Sequence, residues 1–238
     1  MPSPHGLRLP AAAVVLACTA GFAAGCGASS DPVASRSPAA ILAAARSAAE
    51  SASAVRVQSA VYDGRRSKTP SLTLELQLAS GGGRAVLSLL GRESEAIRVG
   101  NALYVKGGAA FYRRLARLTG RHLAPGTWVK APVNGSQLAE SAALTEPTGE
   151  LAVLLHNPTI SLTRGTTTVL DGQKAIELKE KGKLYTGAIY IAATGTPYPL
   201  LIVKHGQETG RTTFTGWNQP VSLTAPTNAV ELGGIEPG

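Results

Sequence analysis

The sequence predicts an α+β domain in which one long, strongly curved antiparallel sheet, a half-barrel, wraps around inserted helices. Three observations carry that expectation. An alanine-rich segment opens the ordered part of the chain, and short alternating apolar runs punctuated by glycine follow it on both sides of a helical middle. The chain as a whole, 44% hydrophobic and only 16% charged, has enough apolar residues to bury a core.

The elements follow in chain order. Pro38 onward reads Ala-Ala-Ile-Leu-Ala-Ala-Ala-Arg-Ser-Ala-Ala-Glu-Ser-Ala, strong helix formers with Ser37 as the N-cap and proline at the first helical position. Val55, Val57 and Val61 then alternate with polar or small residues, the period of a half-buried strand, and Asp63-Gly64 turns the chain. Leu72, Leu74, Leu76 and Leu78 alternate with Thr73, Glu75 and Gln77, so all four leucines share one face of a sheet. Gly81-Gly82-Gly83 turns into a strand over Arg84 to Leu90, and Gly91 and Gly100-Asn101 lead into Glu95 to Val99 and Leu103 to Lys106. Leu87, Leu89, Ile97, Val99, Leu103 and Val105 are expected on the same face as the four leucines.

The middle is expected to be helical at Ala109 to Leu118, Ser136 to Leu144 and Gly149 to His156, between Pro125-Gly126, Pro132 and Pro147. Strands return at Ile160 to Leu162, Thr166 to Leu170, Gln173 to Lys179, Lys183 to Ala192, Tyr198 to Lys204 and Arg211 to Trp217. Their expected turns are Arg164-Gly165, Asp171-Gly172, Lys181-Gly182, Thr194-Gly195 and Gly206.

Ahead of all this stands a leader. Arg8 supplies a positive n-region, and Leu9 to Ala24 form an apolar run that is short for a transmembrane span of about 20 residues. It ends Phe-Ala-Ala-Gly-Cys-Gly-Ala-Ser-Ser-Asp, which resembles the lipobox of bacterial lipoproteins, with Ala24 and Gly25 before Cys26 and Ala23 where leucine is usual. The resemblance implies lipidation of Cys26. A plain signal-peptidase cut is the alternative, and Cys18, preceded by Leu16 and Ala17, is a second candidate. Cys18 would leave too short an apolar run, and the Gly/Ala/Ser tract suited to a tether follows Cys26 instead. Two acyl chains on one cysteine suffice for stable membrane retention. No cysteine follows Cys26, so the domain folds without disulfides or thiolate metal sites. The expected organisation is a signal peptide over 1–25, a lipidated cysteine and flexible tether over 26–37, one α+β domain over 38–232 and a tail over 233–238.

The motifs then narrow the function. No Gly-x-Ser-x-Gly elbow, His-Glu-x-x-His zinc helix, phosphate-cradling loop or paired metal-ligand spacing occurs, so neither an enzyme nor a metal or cofactor site is expected. His122, His156 and His205 are distant from one another, and Asn134-Gly135-Ser136 reads as a turn. Aromatic residues, 5% of the chain, are too few for a sugar or base platform. Net charge is +8, near +7 without the leader, which suits anionic lipid or wall polymer outside the cell and, given export, excludes nucleic acid as a partner. In Phe111 to Leu118, Phe111, Leu115 and Leu118 fall on one helical face and Arg113 and Arg117 on another. With Arg114 and Arg121, and Lys130 nearby, this basic amphipathic helix is a candidate for anionic head groups or a membrane surface, against the plainer reading of a solvated face.

Taken with the lipobox, Ser-Ala-Val-Arg-Val-Gln after the first helix, the leucine strand, Leu103-Tyr104-Val105-Lys106 and Thr127-Trp128-Val129-Lys130 resemble the actinobacterial lipoproteins related to the LppX and LprG lipid carriers. Val169 to Ala175, Ile189 to Pro199 and Phe214 to Asn218 extend the resemblance over nearly all of the mature chain. It implies a LolA-like half-barrel on the outer face of the cell membrane, with an apolar cavity for acyl chains lined by Leu72, Leu74, Leu76, Leu87, Leu89, Ile97, Leu103 and Val105. The same aliphatic residues also suit a packed core. Two functions therefore stand open: noncatalytic binding of a lipid or other amphiphile, and an anchored interaction protein that contacts another envelope component. Cavity volume separates them.

Overall fold

A computed structural model describes residues 33–64, 67–135, 138–146, 151, 155, 161–206 and 208–232. The leader, Cys18, Cys26, His156 and the tail lie outside them, and Asp31–Gly238 forms one compact unit.

Helix α1 (Pro38–Ser51) starts as its sequence dictates. The Ser37 side chain accepts a hydrogen bond from the Ala40 N–H at 3.3 Å, and Pro38 occupies the first turn. Twelve strands follow: β1 (Ala54–Asp63), β2 (Leu72–Ala79), β3 (Gly82–Leu89), β4 (Arg92–Val99), β5 (Ala102–Gly107), β6 (Val129–Pro132), β7 (Ser161–Leu170), β8 (Gln173–Lys181), β9 (Tyr185–Ala192), β10 (Pro199–Gly206), β11 (Glu208–Thr215) and β12 (Val230–Glu231). Helix α2 (Ala109–Thr119) separates β5 from β6, and α3 (Ala139–Ala143) comes between β6 and β7.

The strands make one open, curved sheet in the order β12-β6-β5-β4-β3-β2-β1-β11-β10-β9-β8-β7. Every described pairing is antiparallel except the short β12–β6 bridge, so the expected half-barrel is present. Paired residues share a face, which makes the inner, helix-covered face readable from register. Val57, Leu76, Ala85, Ala96, Val105 and Val129 form one continuous inner row.

Two packed clusters lie on that face. Under α1, Ile41, Leu42, Ala45 and Ala49 meet Leu74, Leu76, Leu78, Ile176, Leu178, Ile189, Ile191 and Phe214, with Leu151 and Leu155 completing the layer. Under α2, Tyr112 and Leu115 meet Leu103, Val105, Val129, Ala131 and Leu232.

Several expectations are corrected. Gly82 and Gly83 belong to β3 rather than to the turn before it. A Cβ on Gly83 would stand 2.8 Å from the Thr145 carbonyl oxygen, so glycine is what lets the chain after α3 rest on the sheet. Arg164-Gly165 is no turn, because β7 runs through it and absorbs the extra residue as a register shift between Arg164 and Thr167. Helix α3 is shorter than Ser136 to Leu144, and Gln137 and Ser136 lie outside the described residues. Of Gly149 to His156, only Leu151 and Leu155 are described, both helical and buried. Trp217 follows β11 rather than ending it, with its ring stacked 4.6 Å from Tyr198.

Candidate functional site

The register divides the expected lining. Ile97 pairs with Arg84 and Tyr104, and Val99 with Gly82 and Ala102, so both point to the outer face, away from the leucines. The inner positions of β4 are Ser94, Ala96 and Arg98, and the Arg98 guanidinium there pairs with Glu146. Alternation was present in both strands, but β4 places its aliphatic residues on the odd phase. Leu74, Leu76, Leu103 and Val105 are inner and fully packed, between 0 and 7% exposed. Leu72 packs half-buried against the α1 cluster.

Leu87 and Leu89 differ from these. They continue the inner face toward the β3–β4 turn, where Leu87 is half-buried at the edge of the α1 cluster and Leu89 is 49% exposed. Both line an open groove of about 880 Å³ between the ends of β3, β4 and β5 and the start of α2. Its apolar wall continues through Leu90, Ala110 and Phe111, and Arg92, Lys106 and Arg113 stand at its rim with Glu93 and Glu95. A volume of several hundred cubic ångströms is that of a small-molecule or acyl-chain site.

Helix α2 sets one wall. Its buried stripe is Tyr112 and Leu115, not the expected line through Phe111, Leu115 and Leu118: Phe111 is half-buried and Leu118 is 49% exposed. The phenol explains the rotation. The Tyr112 hydroxyl donates to the Thr127 carbonyl and accepts from the Gly107 N–H at 3.4 Å, which fixes that side chain inward. Burial, partly offset by the backbone of Gly107 and Gly126 and the charge of Lys106, raises its pKa.

The four candidate arginines separate accordingly. Arg113 faces the large groove and a neighbouring one of about 430 Å³, which Arg117, His122 and Leu123 also line. Among the described residues, neither Arg113 nor Arg117 makes an ion pair. Arg114 lies 3.9 Å from the Glu140 carboxylate, and Arg121 donates to the Glu231 carbonyl at 2.6 Å. Lys130, 2.7 Å from the Glu231 carboxylate, belongs to the β6–β12 edge.

On the outer face beside the groove, Glu95 holds Arg84 at 2.7 Å and Lys106 at 2.8 Å. Burial opposes ionisation of Glu95, but hydrogen bonds and charge from Lys106 and Arg84 outweigh it and hold the carboxyl below its ordinary value. Lys106 also sits 4.8 Å from the Trp128 ring. Sequence reasoning missed this network, whose only signal was Glu95 and Lys106 at opposed positions of two predicted strands. It also missed Glu180, an inner-face carboxyl that is 5% exposed with Oε2 lacking a hydrogen-bond partner. Desolvation raises its pKa against the opposing charge of Lys204. His122 and His205 lie on separate grooves, and among the described residues no group of three His, Cys, Asp or Glu is placed to hold a metal.

No protein-family model and no curated protein matches the chain. Solved structures do. LprF from Mycobacterium bovis aligns at 14% identity over 80% of this chain and 99% of its own, with a TM-score of 0.53. The Mycobacterium tuberculosis lipoprotein LppX aligns at 15% identity over 79% of this chain and all of its own, at 0.48. A LolA superfamily protein from Nitrosomonas europaea aligns at 9% identity over 79% and 95%, at 0.32. The likeness is one of fold, and the LprF match carries it.

Proposed function

We propose that this chain is an exported lipoprotein, anchored through Cys26 at the extracytoplasmic face of a cell membrane, that binds a lipid or other amphiphile without catalysis. The observation that carries the ligand part is the groove of about 880 Å³, where Leu87, Leu89 and Phe111 offer an apolar bed and Arg113 stands free at the rim. An acyl chain laid along the leucines leaves water at roughly 0.8 kcal/mol per methylene, and Arg113 and Arg92 meet an anionic head group. The expected lining thereby contracts: Leu87 and Leu89 take the ligand, and the deeper leucines support the wall.

The second reading, an anchored interaction protein, is favoured by the packed interior. Ile41, Leu78 and Leu178 are all 0% exposed, so α1 fills the centre of the half-barrel that an enclosed cavity would need. Lipid mass spectrometry on the purified unit Asp31–Gly238 decides between the two. A stoichiometric co-purifying lipid that Leu89→Trp displaces is expected. A lipid-free protein that takes up no fluorescent acyl probe would overturn the carrier reading and leave the interaction protein.

A further inference from the structure

The two ends of the sheet are built differently. At one end the hairpins close with Ser80-Gly81, Gly100-Asn101, Asp171-Gly172 and a Thr194-Gly195 loop, all small or polar. At the other, where β1 also leads on to β2 after Asp63 and β10 to β11 after Gly206, β3 turns into β4 through Leu90-Gly91 and β8 turns into β9 through Gly182-Lys183-Leu184. The registers put these two turns on the same side: Arg92, Leu89, Leu72 and Val61 form a row that continues through Gly210, Lys204 and Gly187 to Glu180.

Leu90 is 74% exposed and Leu184 65% exposed, the two most exposed large apolar residues described. Leu90 is also conformationally costly. Leu90 and Gly91 have φ of 51° and 74°, the geometry of a two-residue hairpin turn that favours Asn, Asp or Gly. The Asp171-Gly172 turn at the opposite end has the same pair of positive φ values, 48° and 81°, with the expected residues. A leucine kept at such a position, pointing into solvent, contributes nothing to the core.

Charge accompanies the leucines. Arg92 and Arg113 flank the Leu90 turn, and Lys181 and Lys183 flank Leu184, all four exposed, against Glu93 beside Leu90 and Asp63 between the two turns. The stem of the chain is held on the same half, since the Arg164 guanidinium, three residues along β7 from this end, donates to the Arg36 carbonyl. Arg36 stands ten positions after Cys26, a reach of at most about 35 Å.

We infer that this end of the sheet docks on an anionic lipid bilayer, with Leu90 and Leu184 inserted below the head groups and Arg92, Arg113, Lys181 and Lys183 against them. The two tips are six strand spacings apart, roughly 30 Å along the curve, so they set the tilt of the domain as two feet do. The large groove opens beside the Leu90 foot, and docking therefore brings its mouth to the membrane surface from which an amphiphile would enter; this last step rests on the lipid-binding reading.

The test is vesicle co-sedimentation of Asp31–Gly238, with its fold checked by circular dichroism. Vesicles of phosphatidylcholine alone are compared with vesicles of phosphatidylcholine and phosphatidylglycerol. Binding to the anionic vesicles is expected, weakened by salt, and lowered about tenfold by each of Leu90→Asn and Leu184→Asn. Val169→Asn, which removes an exposed apolar residue at the opposite end, should leave it unchanged. Absence of binding to anionic vesicles, equal binding by the double leucine variant, or self-association that the variants abolish would each overturn the inference. Leu184→Asn, whose site does not line the groove, should still take up an acyl probe in solution, so a failed dock and a failed ligand site give different results.

Discussion

Glu180 carries a cost that sequence inspection did not reveal. Its neighbours on the inner face are Leu162 and Leu178 on the strands beside and along it, with Lys204 and Tyr185 the polar groups facing it from β10 and β9. Desolvation raises its pKa, with Lys204 opposing, so the folded chain holds the proton more tightly than the unfolded one. The stability this proton supplies is complete below the ordinary carboxyl value and is lost as pH rises through the raised one, by about 1.4 kcal/mol per tenfold difference in proton affinity. Glu180→Gln should therefore stabilise the domain relative to the parent at pH 8 and lose that advantage by pH 4, as read by urea unfolding. An equal offset at both pH values would refute a titrating Glu180. The residue escaped notice because the expected strand stops at Lys179, whereas β8 continues to Lys181 and pairs Glu180 with Gly187, in phase with the inner Ile176 and Leu178.

At the level of elements, local signals and tertiary ones part company. Helix α1 was fully legible because its start is a local device, and Ser37→Ala should cost about 1 kcal/mol, seen as a fall of a few degrees in Tm. A melting temperature unchanged by that substitution would mean that packing on the sheet alone fixes the helix start. The strands β1, β2, β8 and β10 were legible from alternation, as was the turn at Asp171-Gly172. Others were not. Strand β6 is four residues and β12 two, too short for any period to register, and they pair only because Val230 and Leu232 donate to the Trp128 and Lys130 carbonyls. The phase of β4 was invisible for a related reason. Ala96 and Ile97 are both apolar, and the Arg84–Glu95–Lys106 network on the outer face decides which of them faces in. The candidate groove was half legible: Leu87, Leu89 and Arg113 were named, while its shape depends on where α1 stops covering the sheet.

For the whole molecule, one sheet serves two separate cores. The α1 cluster draws on β1 to β3 and β8 to β11, and the α2 cluster on β4 to β6. Where they meet, the inner face pairs Gly83 with Arg98, Ala85 with Ala96, Leu87 with Ser94 and Leu89 with Arg92, so no apolar pair larger than two alanines crosses the seam and the backbone ladder is the main link. Such a division favours local opening of one part without the other. Leu115→Ala removes the centre of the smaller core at a cost of about 2–4 kcal/mol, and hydrogen exchange should then accelerate in β4, β5 and β6 while β8 to β11 keep the parent rates. Acceleration spread evenly over all strands would instead make the sheet a single cooperative unit. The groove lies on this seam, walled by β3 on one side and by α2 on the other. A ligand seated there contacts both parts, so an acyl probe should slow exchange in β4 to β6 most, because the less stable half has the most opening to suppress. If the probe protects β8 to β11 instead, the ligand sits in the larger core, and the groove is not its site.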